Sequence, residues 1–297
     1  MSIAHSEDRD PRTASGPFKQ AGLSVVRDPD PAGTGRDPEF IERNLSLLET
    51  WASYFNPEVR GLDQLPRRGP FLIVGNHSGG AMPPDMPVLM TAWWRQRGVE
   101  EPVYGLFHSM FFGLPGVGDA MKKAGGMEAN PEAAEHALRA GGSVLVYPGG
   151  DHEVFRPWTE RHQIDFNGRT GFIKLALRTG VPIVPAVSCG AHNSVVVLSR
   201  GDRLVRFMPH LRLMRVKVMP IMLGLPWGIS FGLPTLPMPA RITTQVGPVV
   251  DLGARFGPEA ADDDEVVQAI YDEVTSLMQR TMDGLVAERE EAPALAS

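Results

Sequence analysis

The sequence predicts an α/β fold: a mixed, mostly parallel sheet flanked by helices. Three observations predict it. Apolar runs of strand length, at residues 71–74, 103–106, 143–147 and 181–187, alternate with stretches of helical periodicity. Proline and glycine punctuate the boundaries between them. Two of the runs end in polar, glycine-rich clusters, Asn76-His77-Ser78-Gly79-Gly80 and Tyr147-Pro148-Gly149-Gly150-Asp151-His152-Glu153. In open α/β sheets the C-terminal edge of the strands is where chemistry is usually done.

Residues 1–38 read as a disordered or loosely packed tail, because Pro11, Pro17, Pro29, Pro31 and Pro38 interrupt any period and apolar residues are few outside 23–26. Residues 39–297 read as a single domain. A first helix begins at Pro38-Glu39, carries Ile41, Leu45, Leu48 and Ala52 at helical spacing, and stops before Asn56-Pro57. Residues 87–96 form the next helix. Asn130, a good N-cap, precedes Pro131 at the first position of a helix that Gly141-Gly142 ends. Residues 171–179 form a helix closed by Gly180, and 259–289 a long amphipathic one. Internal repeats are absent.

Residues 218–240 carry no charge over a length that would span a membrane. Pro220, Pro226, Pro234, Pro237 and Pro239 argue against a continuous helix there. Two readings stay open: a buried, irregular part of the core, or an apolar loop or short helices dipping into a bilayer interface with Trp227 as headgroup anchor.

With 42% hydrophobic residues in 297, the chain can bury a substantial core. The net charge of −6 argues against nonspecific nucleic-acid binding. The single cysteine, Cys189, excludes an internal disulfide and fits a reducing cytoplasm, and the N-terminal stretch has no apolar run of the kind a secretory signal needs.

The candidate catalytic residues are His77 and Asp85. An imidazole held by a carboxylate is a general base for an alcohol proton. Asp85 also suits a helix N-cap near Pro87, and the two roles can coexist. Gly79 and Gly80 offer backbone N–H groups to an oxyanion. In the second cluster Gly149, Gly150, Glu153 and Arg156 are candidates for substrate binding: Glu153 for an acceptor hydroxyl, Arg156 for a phosphate through its planar fork. A surface Glu153–Arg156 pair is the plainer alternative. No metal site is expected, since the acidic run at 262–265 is explained by a helix N-terminus. Cys189 reads as a small buried hydrophobe. The absence of Gly-x-Ser-x-Gly argues against a serine esterase of the α/β-hydrolase type.

These motifs resemble those of the glycerolipid acyltransferase superfamily over residues 60–250. Its Asn-His…Asp motif is matched by Asn76-His77 and Asp85, at the longer spacing of a bacterial branch. Its second motif usually carries an Arg that meets the acceptor phosphate; here the corresponding Gly125-Gly126-Met127-Glu128-Ala129 has none. Its third motif, commonly Pro-Glu-Gly-Thr, is Pro148-Gly149-Gly150 here, a form similar to the diacylglycerol acyltransferases. The resemblance implies an O-acyltransferase that takes a fatty acyl group from acyl-CoA or acyl carrier protein to a hydroxyl of a glycerolipid or lysophospholipid. Acyl-CoA would be a co-substrate, with no cofactor. The resemblance further implies a protein peripheral on the inner face of the cell membrane. A hydrolase using the same base, or a non-catalytic lipid-binding protein on this scaffold, are the alternatives.

Overall fold

The computed structural model describes residues 28–80, 82–201, 219–233 and 235–291. The expected strands and helices are present, with small shifts at their ends. Helix α1 spans Pro38–Ser53, capped by Asp37, whose side chain accepts from the Phe40 N–H. Strands β1 (Glu58–Arg60) and β2 (Leu72–Gly75) follow, then α2 (Asp85–Arg97), β3 (Val103–Phe107), α3 (Val117–Lys123) and β4 (Gly126–Glu128). Helix α4 (Pro131–Arg139) starts as its sequence predicts, with Asn130 accepting from the Glu132 and Ala133 N–H groups. Next come β5 (Ser143–Val146), the single turn α5 (Asp151–Val154), α6 (Gly171–Thr179) and β6 (Ile183–Cys189). Strands β7 (Val196–Ser199), β8 (Ile221–Gly224), β9 (Gly228–Phe231) and β10 (Thr243–Val246) precede the last helix, α7 (Asp264–Glu291). Asp263 caps α7 by accepting from the Glu265 and Val266 N–H groups, which is the role its acidic run was assigned.

The main sheet has seven strands in the order β1-β10-β6-β2-β5-β3-β4. From β6 to β4 all neighbours are parallel, and β10 pairs antiparallel with β6. Successive residues of β2 face opposite layers. Leu72 and Val74 join a core with α4, α6 and α7, whereas Ile73 packs with Leu89 and Trp93 of α2 and Ile41 and Leu45 of α1. Burial on both faces explains why the central strands read as unbroken apolar runs. It also leaves only the strand ends for polar groups. The adjacent C-terminal ends of β6, β2 and β5 bring the two glycine-rich clusters together.

Two expectations are corrected here. The loose tail does not extend to residue 38: Asp30 accepts from the Tyr104 hydroxyl at 2.8 Å, and the buried Arg36 donates to the carbonyls of Pro29, Val99 and Glu101. Residues 1–27 lie outside the described residues. Nor is the uncharged stretch irregular core or short helices. Over the part described it is the β8–β9 hairpin, which with β7 forms a separate antiparallel sheet of three strands. Among the described residues no helix is long and apolar enough to cross a membrane.

Candidate active site

His77 lies two residues beyond β2. Seven residues separate it from Asp85, and the chain leaves His77 through a turn whose geometry depends on glycine. Gly79 and Gly80 have φ of 101° and 73°, and a Cβ on Gly79 would collide with Pro84. The chain brings Asp85 to the first turn of α2, where His77 Nδ1 meets its Oδ2 at 3.1 Å. The same Oδ2 accepts from the Ser78 N–H at 2.8 Å, and Oδ1 accepts from the Met86 N–H. Asp85 is fully buried, while the His77 side chain keeps 18% exposure. A carboxylate held by three donors and shielded from water is fixed in place. It in turn fixes an imidazole whose other nitrogen, Nε2, is turned away from it.

Three further contacts position His77. The Tyr147 ring stacks on it, with centroids 4.3 Å apart and planes at 20°. Burial, together with the charges of Asp85 and Glu153, raises the Tyr147 phenol well above its ordinary pKa, so it stays protonated. Glu153 Oε2 accepts from the His77 backbone N–H at 3.0 Å. Asn76 anchors the motif from the other side: its amide donates to the Ser188 carbonyl and accepts from the Ser188 N–H, at 3.0 and 2.7 Å.

The predicted pair of His77 and Asp85 is therefore assembled, but several binding assignments change. Glu153 is almost fully buried, with one oxygen on the His77 N–H and the other 3.6 Å from Arg156. It has no face to offer a substrate and serves as a positioning residue. Burial pushes its pKa well up, against the opposing pull of the His77 N–H and Arg156. Arg156, also buried, donates to the Asp165 carbonyl and is closed to a phosphate. Gly149 is buried against Glu153, where a Cβ would overlap the carboxylate, so it is a packing glycine. The carbonyls of Pro148 and Gly149 accept from Arg169, which also pairs with Asp151; these contacts clamp the loop that carries Gly150. The Gly80 N–H donates to the Val154 carbonyl and is unavailable to an oxyanion. The Gly79 N–H has no such partner among the described residues. Cys189 is buried, as its sequence context suggests. Among the described residues no cluster of His, Cys, Asp and Glu fits a metal ion.

His192, which sequence reasoning noted only as a neighbour of Cys189, follows β6 and is buried beside the site. Burial, reinforced by the charges of Arg156 and His77, lowers its pKa to about 3 from an ordinary 6.5. The unfolded chain therefore binds a proton between these values that the folded chain does not. Stability from this group is fully present above 6.5 and is lost as the pH falls toward 3. We expect His192→Gln to flatten the acid side of the melting temperature–pH profile, and an unchanged profile would assign the acid lability to other groups.

The Acyltransferase family model matches residues 56–188, which contain the whole His77–Asp85–Glu153 assembly. An uncharacterized protein from Mycobacterium tuberculosis is 31% identical over 258 residues, covering 86% of this chain and 69% of the relative. The chain belongs to the glycerolipid acyltransferase superfamily. Diacylglycerol O-acyltransferase 2 of Dictyostelium discoideum is 26% identical to this acyltransferase over 177 residues, which are 58% of this chain and 52% of the relative. The crystal structure of the 1-acyl-sn-glycerophosphate acyltransferase from Thermotoga maritima matches its fold with a TM-score of 0.52 at 16% identity, covering 83% of this chain and 80% of that one. The mostly parallel sheet is thus a fold found in an acyltransferase, and the chain is itself an acyltransferase.

Proposed function

We propose that the enzyme transfers a fatty acyl group from acyl-CoA, or from acyl carrier protein, to a hydroxyl of a glycerolipid or lysophospholipid, with His77 as general base. The observation that carries this reading is the His77–Asp85 pair at the C-terminal edge of the sheet, with the carboxylate buried and the imidazole open. Asp85 accepts from Nδ1–H and so leaves the Nε2 lone pair toward the substrate. Nε2 takes the acceptor hydroxyl proton as that oxygen attacks the thioester carbonyl. The new C–O bond forms, and the carbonyl oxygen carries the negative charge. The Gly79 N–H, to which no backbone acceptor is assigned among the described residues, is a backbone candidate to meet that charge. Collapse breaks the C–S bond, and the leaving thiolate takes the proton back from the His77 imidazolium. The products are an ester and a free thiol. The thioester is already activated, so no acyl-enzyme is required.

A neutral glycerolipid acceptor is favoured within this reading. The second motif lacks its Arg, and both site arginines, Arg156 and Arg169, already have protein partners. The relative named as a diacylglycerol acyltransferase supports the same choice. Peripheral attachment to the inner face of the cell membrane, from the cytoplasm, goes with a lipid acceptor.

The test is thiol release from long-chain acyl-CoA against a panel of lysophosphatidate, lysophospholipids, monoacylglycerol and diacylglycerol. We expect release that depends on an acceptor and is fastest with an uncharged one. Release independent of any acceptor would replace the transferase by a hydrolase, and release fastest with lysophosphatidate would overturn the acceptor assignment.

A further inference from the structure

We propose that the outer face of the β7–β8–β9 sheet is a docking surface for an anionic lipid bilayer. The proposal rests on the lipid-acyltransferase reading for its purpose, while its structural support is separate. Across this sheet, register pairs Val196 with Leu223, Leu223 with Ile229, and Ile221 with Phe231, so these residues share one face. The opposite face carries Val197, Met222 and Ser230, all buried against the body. An antiparallel sheet with one wet face ordinarily alternates apolar inward with polar outward. Here the outward positions are apolar too: Leu198, Leu223, Ile229 and Phe231 are 42–58% exposed.

The hairpin turn extends the same surface. Leu225 and Trp227 at the tip are 55% and 58% exposed, and Leu236, bridged to Leu225, is 55% exposed. Scattered surface leucines are ordinary, but a continuous apolar sheet face ending in a tryptophan marks an interaction site. Tryptophan suits the boundary between headgroups and acyl chains.

Charge selects the occupant. Residues 219–240 carry no Asp, Glu, Lys or Arg. The chain joining β7 to β8, residues 202–218, has five Arg and Lys against one Asp, in a protein whose net charge is −6. Both ends of that basic stretch are fixed at the apolar sheet, where Ser199 pairs with Ile221, and an apolar face with net positive chain tethered to it matches an anionic bilayer, where each basic residue near the surface contributes about 1 kcal/mol. The sheet that carries this face adjoins the site. The inner layer of the sheet packs on Phe155, just beyond the α5 turn that holds Glu153, and Val195 lies against Gly80.

The experiment compares wild type with the Trp227→Ser, Ile229→Thr, Phe231→Thr variant. Cosedimentation is measured with phosphatidylcholine vesicles containing about one-third phosphatidylglycerol, and thiol release is measured with a short-chain, water-soluble monoacylglycerol. Wild type is expected to bind the vesicles, more weakly as phosphatidylglycerol is withdrawn. The variant should lose at least about tenfold in affinity, since burying a large apolar side chain typically contributes more than one factor of ten. Its turnover of the soluble acceptor should be unchanged, which also shows that it is folded. Brominated lipid should quench wild-type tryptophan emission more than that of Trp227→Phe. Equal vesicle binding by wild type and variant, or no binding by wild type, would overturn the proposal. A wild-type dimer that the variant converts to monomer, without vesicle binding, would give the face to a second copy of the chain. Vesicle binding with no turnover of any acceptor would sink the proposed reaction and leave the docking surface standing.

Discussion

His77→Ala is expected to lower acceptor-dependent thiol release by about 10²–10⁴-fold, the usual contribution of a positioned general base. The imidazole keeps an exposed edge, and the groups around it are arranged to hold it. Asp85 grips Nδ1, Tyr147 covers one ring face, and Glu153 holds the backbone N–H. Asp85→Asn is expected to fall almost as far, because an amide in place of the carboxylate no longer favours the Nδ1–H tautomer or the transient imidazolium. The two residues act as a unit, so the double variant should be little slower than His77→Ala alone. Multiplicative losses in the double variant would mean that Asp85 serves the fold of the return loop rather than the base. Asp85 keeps its Ser78 and Met86 N–H donors in His77→Ala, so the melting temperature of that variant should change little, and a large drop would mean that the activity loss reports unfolding.

The second large effect belongs to Glu153. Removing its carboxyl in Glu153→Ala strips the His77 N–H of its acceptor and leaves Arg156 buried without its partner. Breaking a buried pair from one side typically costs about 3–5 kcal/mol, which in a protein of this size lowers the melting temperature on the order of 10 °C. Activity should fall with it, because the imidazole is aimed from that backbone. Glu153→Gln keeps the shape of the carboxyl, an oxygen for the His77 N–H and a polar group beside Arg156, which also donates to the Asp165 carbonyl. It should retain most of the stability and activity. A carboxyl harder to ionise in the folded than in the unfolded chain makes stability fall as pH rises from about 4.5 through the folded-state value. That decline should be reduced in the Gln variant. If Gln is as damaging as Ala, the negative charge of Glu153 is itself required, and the positioning role given to it is wrong.

The comparison of residues with structure separates what short-range pattern can encode from what only packing decides. The helix at 171–179 and its glycine stop, the Asn130 cap and the four apolar strands were legible because each is written in neighbouring residues. The His77–Asp85 pair was legible as chemistry but not as geometry. Its seven-residue separation brings the pair together with Gly79 and Gly80 at positive φ and Pro84 in the space a side chain on Gly79 would need. Glu153 and Arg156 look like substrate ligands in a polar, glycine-rich run. Nothing local signals that α5 turns both inward beneath His77. The β8–β9 hairpin hid its alternation for a related reason: Ile221, Met222 and Leu223 are apolar on both faces, so the period of two vanished from the pattern.

Asn76 carries a mechanical consequence. Its side-chain amide reproduces the donor and acceptor of a peptide group and meets both backbone groups of Ser188. The hydrogen-bonded ladder between β2 and β6 thus runs one rung past the last strand residue, on a side chain instead of the main chain. The imidazole is attached directly beyond that rung, so it moves as the sheet moves and does not share the freedom of the glycine-rich loop that follows. In such an arrangement the base is the stationary part and the lipid is the part that must find its place.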